Sequence, residues 1–364
     1  MKKIKTAIIG CGKVGQIHAE ALRNLSESDF VAVCVSQIDR VQKMANDYGV
    51  KAYTDVSTMV HDSEVQAVVI CTPHPLHAKP AIAAAQAGAH VLVEKPLAST
   101  LEDCDAMIAA TDKAGVKLGV ISQRRLYPPV MRVRNAIDSG KIGTPVLGMV
   151  IMLGWRDEKY YASDPWRGKW KTEGGGVLVN QSPHQLDILQ WLMGPIDEVF
   201  GYWSNFNHPY IEVEDTAIAS IRFKNGGLGS IIVSNSQKPG LYGKVHIHGK
   251  NGASIGVQTD GGAMFIAGMS TVTEPPVNDL WTVPGEEDLL KQWQAEDRKI
   301  FSELDTTTYY HQLQDQDFLQ AILENRDPML TGIEGRKTVE LFTAIYRSQR
   351  DHKPIQFPIN PSEG

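Results

Sequence analysis

The chain has 364 residues, which favours two domains because single hydrophobic cores stop growing near ~250–300 residues. A net charge of −6 without any block of Lys and Arg argues against a nucleic-acid partner. The sequence contains no apolar run of about 18 residues, so it predicts no membrane-spanning segment.

The first residues, "MKKIKTAIIGCG", carry an apolar run that ends in a glycine turn, which is typical of a first strand rather than a signal peptide. The four cysteines are far apart, and they form neither a C-x-x-C pair nor a cluster with histidines. This spacing argues against a metal site or a disulfide scaffold and predicts a cytoplasmic protein. These cysteines are Cys11, Cys34, Cys71 and Cys104.

The first third of the chain alternates between short apolar runs and segments with helical periodicity. The runs are "KTAIIG", "FVAVCV", "AVVICT", "HVLVEK" and "KLGVIS". Continuous apolar strands separated by helices indicate a parallel sheet that is covered on both faces. The sequence therefore predicts a doubly wound α/β domain over residues 1–122.

The pattern changes after residue 122, where runs such as "DTAIASIRF" and "LGSIIVSNS" are separated by glycine-rich turns. These runs predict an open, mostly antiparallel sheet in a second α/β domain over residues 123–364. The last part of the chain predicts two helices that are separated at Pro328. Residues 259–290 give no clear pattern.

A glycine-rich turn connects the first strand to the first helix in "AIIGCGKVGQIHAEAL". Gly10 permits a tight turn, Gly12 leaves room for a pyrophosphate, and Gly15 allows close packing of helix and strand. The helix N-terminus favours the phosphate charge. This G-x-G-x-x-G motif in its strand–turn–helix context predicts a dinucleotide site. The site would include Gly10, Cys11, Gly12, Lys13, Val14 and Gly15.

The end of the second strand bears on the choice between NAD and NADP. An acid about 20 residues after the last glycine usually binds the ribose 2′-hydroxyl of NAD. That position holds Ser36 and Gln37, and Arg40 follows. These residues favour NADP slightly without excluding NAD, although Arg40 is also consistent with a solvated helix residue.

Two later strands end in "CTPHPLH" and "VEKP". Ligands bind at the carboxyl ends of strands in open α/β sheets, so both segments are expected to border the cofactor. An ammonium beside the cofactor can hydrogen-bond a substrate hydroxyl, and the neighbouring carboxylate can hold it in place. The residues predicted at this edge are Thr72, Pro73, His74, His77, Glu94, Lys95 and Gln123, with His77 also consistent with packing on the next helix.

The segment "EGGGVLVNQSPHQLDILQWLMG" predicts a helix from about residue 178 to 192. Helical spacing would place Asn180, His184, Asp187 and Trp191 on one stripe of this helix. His184 is a natural proton acceptor near neutral pH, although a lone histidine is also consistent with a domain interface.

These three motifs in this order resemble the glucose–fructose oxidoreductase/inositol dehydrogenase (Gfo/Idh/MocA) family. The resemblance extends over nearly the whole chain. It implies an N-terminal Rossmann domain, a second domain with a large open sheet, and NAD(P)-dependent oxidation or reduction of a secondary hydroxyl on a sugar or cyclic polyol. It also implies a homodimer or homotetramer formed through that sheet.

By this resemblance Lys95 and His184 match the family's catalytic lysine and histidine, and Asp187 matches the acid one helical turn further on. The family often has aspartate where this chain has Asn180. An amide can orient a hydroxyl but cannot take its proton, so proton transfer would fall to His184 or Lys95. The resemblance also implies a cis peptide bond before Pro96.

Aromatic and cationic residues flank these motifs, as expected of a site that binds both C–H faces and hydroxyls of a sugar. For each of them taken singly, packing between domains is the favoured interpretation, and for the group at least one contact with the substrate is expected. The predicted substrate residues are Lys95, Arg125, Tyr127, Trp155, Tyr161, Trp166, Arg167, Asn180, His184 and His311.

The leading hypothesis is an NAD(P)-dependent oxidoreductase acting on a sugar, glycoside or cyclic polyol. A second hypothesis keeps the fold but uses tightly held NAD for transient oxidation during glycoside cleavage. A third is a non-enzymatic, nucleotide-sensing regulator.

Overall fold

The computed structural model describes residues 3–262 and 273–360. The chain divides into two compact units. The first comprises Met1–Gln123 and Asp305–Val339, and the second comprises Arg124–Leu304 and Glu340–Gly364. The sequence-based division at residue 122 remains a prediction about domains. The units differ from it because residues 305–339 pack with the N-terminal part of the chain.

The first unit contains a six-stranded parallel sheet with the order β3-β2-β1-β4-β5-β6, which is the strand order of a Rossmann fold. The strands are short, and β1, β4, β5 and β6 are almost fully buried, as expected when helices cover both faces, whereas the edge strand β3 has no buried residue. The elements are β1 Ile4–Ile9, α1 Lys13–Asn24, β2 Ser28–Cys34, α2 Ile38–Tyr48, β3 Lys51–Tyr53, α3 Val56–Asp62, β4 Ala67–Ile70, a 3₁₀ turn His74–Leu76, α4 Ala78–Gln86, β5 His90–Val93, α5 Leu101–Ala114, β6 Leu118–Val120 and a 3₁₀ turn Gln123–Leu126.

The second unit contains a nine-stranded sheet that is antiparallel except between two neighbouring strands, β7 and β10. Along the sheet the order is β13-β12-β11-β7-β10-β9-β8-β15, and β14 pairs with β12. The elements are α6 Pro128–Asp138, β7 Pro145–Leu153, α7 Glu158–Ala162, α8 Trp170–Glu173, a π turn Val177–Gln181, α9 Pro183–Met193, β8 Ile196–Ser204, β9 Thr216–Phe223, β10 Leu228–Ser234, β11 Tyr242–Gly249, β12 Ser254–Gly262, β13 Thr273–Glu274, β14 Val277–Trp281 and α10 Leu289–Glu303. Three elements complete the chain: α11 Thr306–Leu323, which belongs to the first unit, α12 Gly332–Asp351 and β15 Ile355–Gln356.

The predicted fold class is confirmed, because a parallel Rossmann sheet is followed by a large, mostly antiparallel one. The stretch 259–290 contains the end of β12, the short strands β13 and β14 and the start of α10, while residues 263–272 lie outside the described residues. No helix within the described residues has the length and apolar character needed to cross a membrane.

The helix α11 returns to the first unit and completes its core. Phe318 and Leu319 of this helix join the apolar cluster that contains Ile8 and Leu92. A Cβ at Gly119 in β6 would lie 2.9 Å from a ring carbon of Phe318, so the absence of a side chain there lets the helix approach the strand. A segment far along the chain is thereby brought to the carboxyl ends of the parallel strands.

In the second unit, α9 packs on one face of the sheet at Gly148 of β7. A Cβ at that position would lie 2.7 Å from Cγ of Met193 and 2.8 Å from a methyl group of Leu189. The glycine therefore sets how closely α9 approaches the sheet, and α9 is the helix that carries His184 and Asp187.

Candidate active site

The glycine turn after β1 is shaped by two close backbone approaches and one open position. Gly10 has φ of +113°, and a Cβ there would lie 2.6 Å from the carbonyl of Cys71. A Cβ at Gly15 would lie 2.0 Å from the oxygen of Gly10. A Cβ at Gly12 meets nothing within 4 Å, so this glycine leaves open space rather than relieving a clash.

The open position at Gly12 coincides with the start of α1. Gly12 is the N-cap of this helix and offers no side chain to its first N–H groups. Lys13 and Val14 follow as its first two residues. Unsatisfied N–H groups and the helix dipole attract an anion at such an end, so the turn fits the pyrophosphate of a dinucleotide.

The end of β2 lies near this turn. Ser36, Gln37 and Arg40 are exposed, and Gln37 is the N-cap of α2. Burial raises the pKa of the Cys11 thiol to about 11, and Arg40 opposes that rise through its charge. Arg40 is therefore close enough to the glycine turn to affect its electrostatics.

His77 connects the segments that follow β4 and β5. This histidine is fully buried, its Nε2 lies 2.8 Å from the carbonyl oxygen of Thr72, and its Nδ1 lies 3.1 Å from that of Pro96. Burial lowers its pKa. The ring of His74, also buried, stands edge-on to it at 6.0 Å. His77 thus holds two strand-end segments together, and its predicted contact with the cofactor stays a prediction.

Glu94 is the centre of a buried hydrogen-bond cluster in the first unit. Its Oε2 accepts a hydrogen bond from the backbone N–H of Lys95 at 2.9 Å. Its Oε1 accepts one from His18 at 3.0 Å and lies 3.4 Å from Nε2 of His311. Glu94 therefore supports the lysine, as predicted, through a hydrogen bond to the lysine's backbone. The peptide bond between Lys95 and Pro96 is cis, as expected.

Charge compensation within this cluster shifts the pKa values strongly. Burial alone would raise the pKa of Glu94, but hydrogen bonds from His18 and His311 hold it well below its usual value. Burial alone would lower the pKa of His18, but the carboxylates of Asp315 and Glu94 raise it to about 10. Both Glu94 and His18 are therefore charged near neutral pH.

Gln314 of α11 anchors the end of β6. Its Oε1 accepts a hydrogen bond from the N–H of Ser122 at 2.8 Å, and its Nε2 donates to the carbonyl oxygen of Val120 at 2.8 Å. Gln123, the next residue, is buried. Its predicted contact with the cofactor stays a prediction.

In the second unit the predicted catalytic helix starts with a π turn, which corrects the expectation of one regular helix from residue 178. Pro183 has no N–H and cannot continue the α-helical pattern, while the N–H of Ser182 donates to the carbonyl of Val177, five residues back. Asn180 therefore lies in the π turn, and His184 and Asp187 lie in α9. The regular four-residue spacing from Asn180 to His184 does not apply.

The triple glycine before the π turn allows a close approach to Glu214. A Cβ at Gly176 would lie 1.8 Å from the backbone oxygen of Glu214. The buried Glu214 carboxyl accepts hydrogen bonds from the N–H groups of Gly176 and Leu178 and from the hydroxyl of Tyr346, at 2.9, 3.0 and 2.9 Å. Burial raises the pKa of Glu214 to about 7. This carboxyl holds the backbone that leads into the segment of Asn180.

The predicted polar residues of this segment contact partners within the unit. Arg125 donates to both carboxylate oxygens of Asp187, at 2.6 and 2.8 Å, and its guanidinium lies over the Trp191 ring at 4.8 Å. Asn180 donates through Nδ2 to Glu173 at 2.5 Å and to the Tyr160 hydroxyl at 3.3 Å. These contacts hold the carboxylate of Asp187 on α9 and the amide of Asn180 on the π turn in fixed positions.

The predicted substrate aromatics take two kinds of position. Trp155 is half-buried and tilted over the ring of His208, while Arg167 stacks on Trp166 at 4.4 Å. Tyr161 and Tyr127 are buried, and burial raises the pKa of Tyr127 to about 12. The half-buried residues are the better placed of these to meet a ligand, and all five assignments stay predictions.

Lys95 belongs to the first unit and His184 to the second, so their joint action is a prediction and not an observed contact. The sequence reasoning missed His18, Asp315 and Glu214. His18 and Asp315 could have been noticed as polar residues on otherwise apolar faces of their helices, because Leu22 follows His18 by four positions and Phe318 follows Asp315 by three.

Comparisons with known proteins agree with the fold. The family model described as "Oxidoreductase family, NAD-binding Rossmann fold" matches residues 4–122, and the "GFO/IDH/MocA C-terminal domain" matches residues 130–255. The myo-inositol 2-dehydrogenase of Thermotoga maritima is 32% identical over 68% of this chain and 74% of its own length. The scyllo-inositol 2-dehydrogenase (NAD(+)) of Bacillus subtilis is 25% identical over 98% and 97%.

A solved structure is also similar over almost its full length. The WlbA dehydrogenase from Bordetella pertussis, in complex with NADH and UDP-GlcNAcA, has a TM-score of 0.87 and 30% identity, and the match covers 99% of each chain. Together the fold, the glycine turn and these relatives define an NAD-binding oxidoreductase that acts on a carbohydrate or polyol CH–OH group. The chain belongs to the Gfo/Idh/MocA family.

Proposed function

We propose that the chain oxidises a secondary hydroxyl of a nucleotide-linked uronic acid of the UDP-GlcNAcA type, with NAD as the hydride acceptor. The observation that carries this proposal is the 30% identity over 99% of both chains with the Bordetella enzyme, whose structure holds that sugar and NADH. The full-length match to scyllo-inositol 2-dehydrogenase has 25% identity. Inositols are the second candidate because the Thermotoga myo-inositol enzyme is 32% identical over its aligned part.

In the proposed reaction a secondary alcohol becomes a ketone, with the hydride going to the cofactor and the proton to the protein. NAD, when bound, supplies the carbon that accepts the hydride. Lys95 hydrogen-bonds the reacting hydroxyl and stabilises the developing alkoxide, while His184 accepts the proton. Asn180 orients the hydroxyl, and Arg125 holds Asp187 on α9.

The turn at Gly10, Gly12 and Gly15 would hold the pyrophosphate of the cofactor. NAD use follows from the family, whereas the NADP preference predicted from Ser36, Gln37 and Arg40 remains a finer proposal. The exposed Arg40 near the glycine turn supports tolerance of a 2′-phosphate. The affinities of wild type and R40A for both cofactors test this, and an unchanged NADP-to-NAD ratio would end it.

The proposed substrate is tested by following nicotinamide absorbance with UDP-GlcNAcA, UDP-GlcNAc and myo-inositol. We expect turnover with the uronic acid and little with the other two. Turnover with myo-inositol alone would replace the proposed substrate by the second candidate. The glycosidase hypothesis would instead be supported if the cofactor stayed bound on purification and glycosides were cleaved with no net change in absorbance.

The roles of Lys95 and His184 are tested with K95A and H184A. General acid–base groups contribute about 10²–10⁴-fold, so each variant should lose turnover on that scale. H248A is a matched control, because His248 lies on β11 and contacts Ser254 at 2.7 Å. Normal turnover in K95A or H184A would refute the corresponding role, and a biological activity that survives K95A would favour the regulator hypothesis.

We also propose that the chain forms a homodimer or homotetramer through the sheet of the second unit. Tyr202, Ile218 and Ile232 are neighbours on adjacent strands and are 53%, 47% and 41% exposed. Water-exposed apolar rows on a sheet indicate an interface. Light scattering of wild type and of I218D tests this, and a monomeric wild type would refute it.

A cytoplasmic location is proposed from the cysteine content. All four thiols are free, which suits a reducing compartment. Cell fractionation with an antibody against the chain tests this, and recovery from an oxidising compartment would contradict it.

A further inference from the structure

A chain of buried charged groups runs from α11 to the backbone of Lys95. Nδ1 of His18 lies 2.9 Å from both carboxylate oxygens of Asp315, and Nε2 lies 3.0 Å from Oε1 of Glu94. The other carboxylate oxygen of Glu94 accepts from the N–H of Lys95 at 2.9 Å. His18, Asp315 and Glu94 are 0%, 1% and 7% exposed, so water does not compete for these hydrogen bonds.

The hydrogen-bond partners of His18 determine the protonation state of its ring. Carboxylates can only accept hydrogen bonds when they are ionised, so His18 must donate from both nitrogens. A ring that donates to two buried carboxylates is a cation, and its single positive charge offsets one of their two negative charges. The raised pKa of His18 agrees with this state. Glu94 therefore keeps one oxygen fixed by His18 and the other directed at the N–H of Lys95.

His311 adds a second imidazole to the same oxygen of Glu94. Its Nδ1 lies 2.5 Å from the carbonyl oxygen of Thr307, and its Nε2 lies 3.4 Å from Glu94. The three nitrogen and oxygen atoms of His18, Glu94 and His311 lie within 4.8 Å of one another, a spacing also compatible with a metal ion. The separations of 3.0 and 3.4 Å and the complete pairing of His18 favour a hydrogen-bonded cluster.

We propose that His18 and Asp315 are positioning residues for Lys95: they fix the Glu94 carboxylate that holds the backbone from which the lysine side chain extends. This inference rests on the proposed role of Lys95 in oxidation. Groups held by a second layer of hydrogen bonds keep their reactive geometry, and small displacements reduce turnover strongly. The cofactor's pyrophosphate is held instead at the glycine turn, so its affinity should depend little on this cluster.

The experiment combines H18Q and D315N with K95A. Loss of such supporting groups typically costs about 10–100-fold, so each single variant should lower kcat on that scale with KM and NAD affinity within about twofold. In the K95A background each should add less than about twofold, because the group that they position is gone. H90Q is the matched control, since His90 begins β5, the strand whose other end leads to Lys95.

Additivity separates positioning from a general structural role. Turnover is expressed per NAD-binding site, so a partly folded sample still gives a usable value. The D315N substitution also preserves the volume of the side chain, which limits changes in packing. Three outcomes would each overturn the inference. The losses could multiply with that of K95A, kcat could be unchanged in H18Q and D315N, or these variants could fail to bind NAD. Inactivation by EDTA that zinc reverses would replace the hydrogen-bonded cluster by a metal site.

Failure of the proposed function would look different. In that case K95A would keep turnover, whatever H18Q and D315N do. An inactive K95A together with fully active H18Q and D315N would leave the role of Lys95 intact and remove only the positioning residues.

Discussion

Asp315 accepts hydrogen bonds from His18 at 2.9 Å although 297 positions separate the two residues in the sequence. This contact ties α11 to the helix that follows the glycine turn, inside the first unit. It also brings a carboxylate next to an imidazole that already contacts Glu94. The end of β5 is therefore supported by residues from both ends of the chain.

The charged state of His18 predicts a pH dependence of stability. The pKa of His18 is about 10 in the folded chain against 6.5 in the unfolded one, so its contribution is complete below pH 6.5 and lost as pH rises through 10. The pKa of Glu94 is held well below 4.5, so the contribution of that carboxylate is present above pH 4.5 and lost on acidification. Both contributions are complete between about pH 4.5 and 6.5.

Urea unfolding of wild type and H18Q at pH 6, 8 and 10 tests this dependence. The wild type should lose stability above pH 6.5 with a slope that includes about 1.4 kcal/mol per pH unit from this one proton, and H18Q should lack that component. H90Q should keep the wild-type slope between pH 8 and 10, which lies above the range in which His90, with its lowered pKa, changes its charge. Parallel curves for wild type and H18Q would show that His18 does not carry the charge.

Two of the three glycines of the turn, Gly12 and Gly15, predict different phenotypes. G15A should lower the free energy of unfolding by more than about 3 kcal/mol, because its Cβ would meet the Gly10 oxygen at 2.0 Å and the backbone must shift. G12A should lower it by no more than about 1 kcal/mol, because no atom lies within 4 Å of that Cβ and only the N-cap preference for glycine over alanine is lost.

G12A should nevertheless weaken NAD binding by about tenfold or more, since the methyl group enters the space left for the pyrophosphate. Calorimetric titration with NAD and urea unfolding on the same samples measure both effects. Normal NAD affinity in a stably folded G12A would show that the phosphates do not approach this turn.

Glu214 predicts a loss of stability with rising pH, which has the same sign as the His18 contribution but occurs at lower pH. Its folded pKa of about 7 lies above the unfolded value of 4.5, so the folded chain binds the extra proton between these values. Stability should therefore fall as pH rises from 4.5 to 7, by roughly 3 kcal/mol at most.

E214Q should remove most of this slope while keeping an oxygen for the N–H of Leu178 and the hydroxyl of Tyr346. Thermal unfolding from pH 5 to 8 measures the difference. A wild-type slope that persists in E214Q would assign the titration to another group.

Local patterns predicted the parts of the molecule that depend on neighbouring residues. The strand–turn–helix at Gly10 and the alternation of strands follow from spacing within a few residues, and both are present. The return of α11 was not predictable, because the pairing of Asp315 with His18 joins distant segments and no local period encodes it. The π turn was predictable in principle from Pro183, whose missing N–H interrupts the regular helix.

Asn180 illustrates a departure from the family's frequent aspartate that the structure explains. Its Nδ2 donates to Oε1 of Glu173 at 2.5 Å, and Oε2 of the same carboxylate accepts from the N–H of Gly168. An aspartate at position 180 could not donate and would place a second negative charge against Glu173. The amide is therefore matched to the acid beside it.

N180D should accordingly lower the free energy of unfolding at pH 8 by about 1–3 kcal/mol, because a partly buried hydrogen bond is replaced by repulsion. The penalty should shrink on acidification, because a proton taken up by either carboxyl removes the repulsion. In the double variant N180D/E173Q the amide and the acid exchange places, so the pair should recover a coupling energy of more than about 1 kcal/mol. Urea unfolding of wild type, both single variants and the double variant gives this coupling directly. If N180D is as stable as the wild type at pH 8, or if E173Q only adds to its loss, the carboxylate of Glu173 is not what selects the amide at this position.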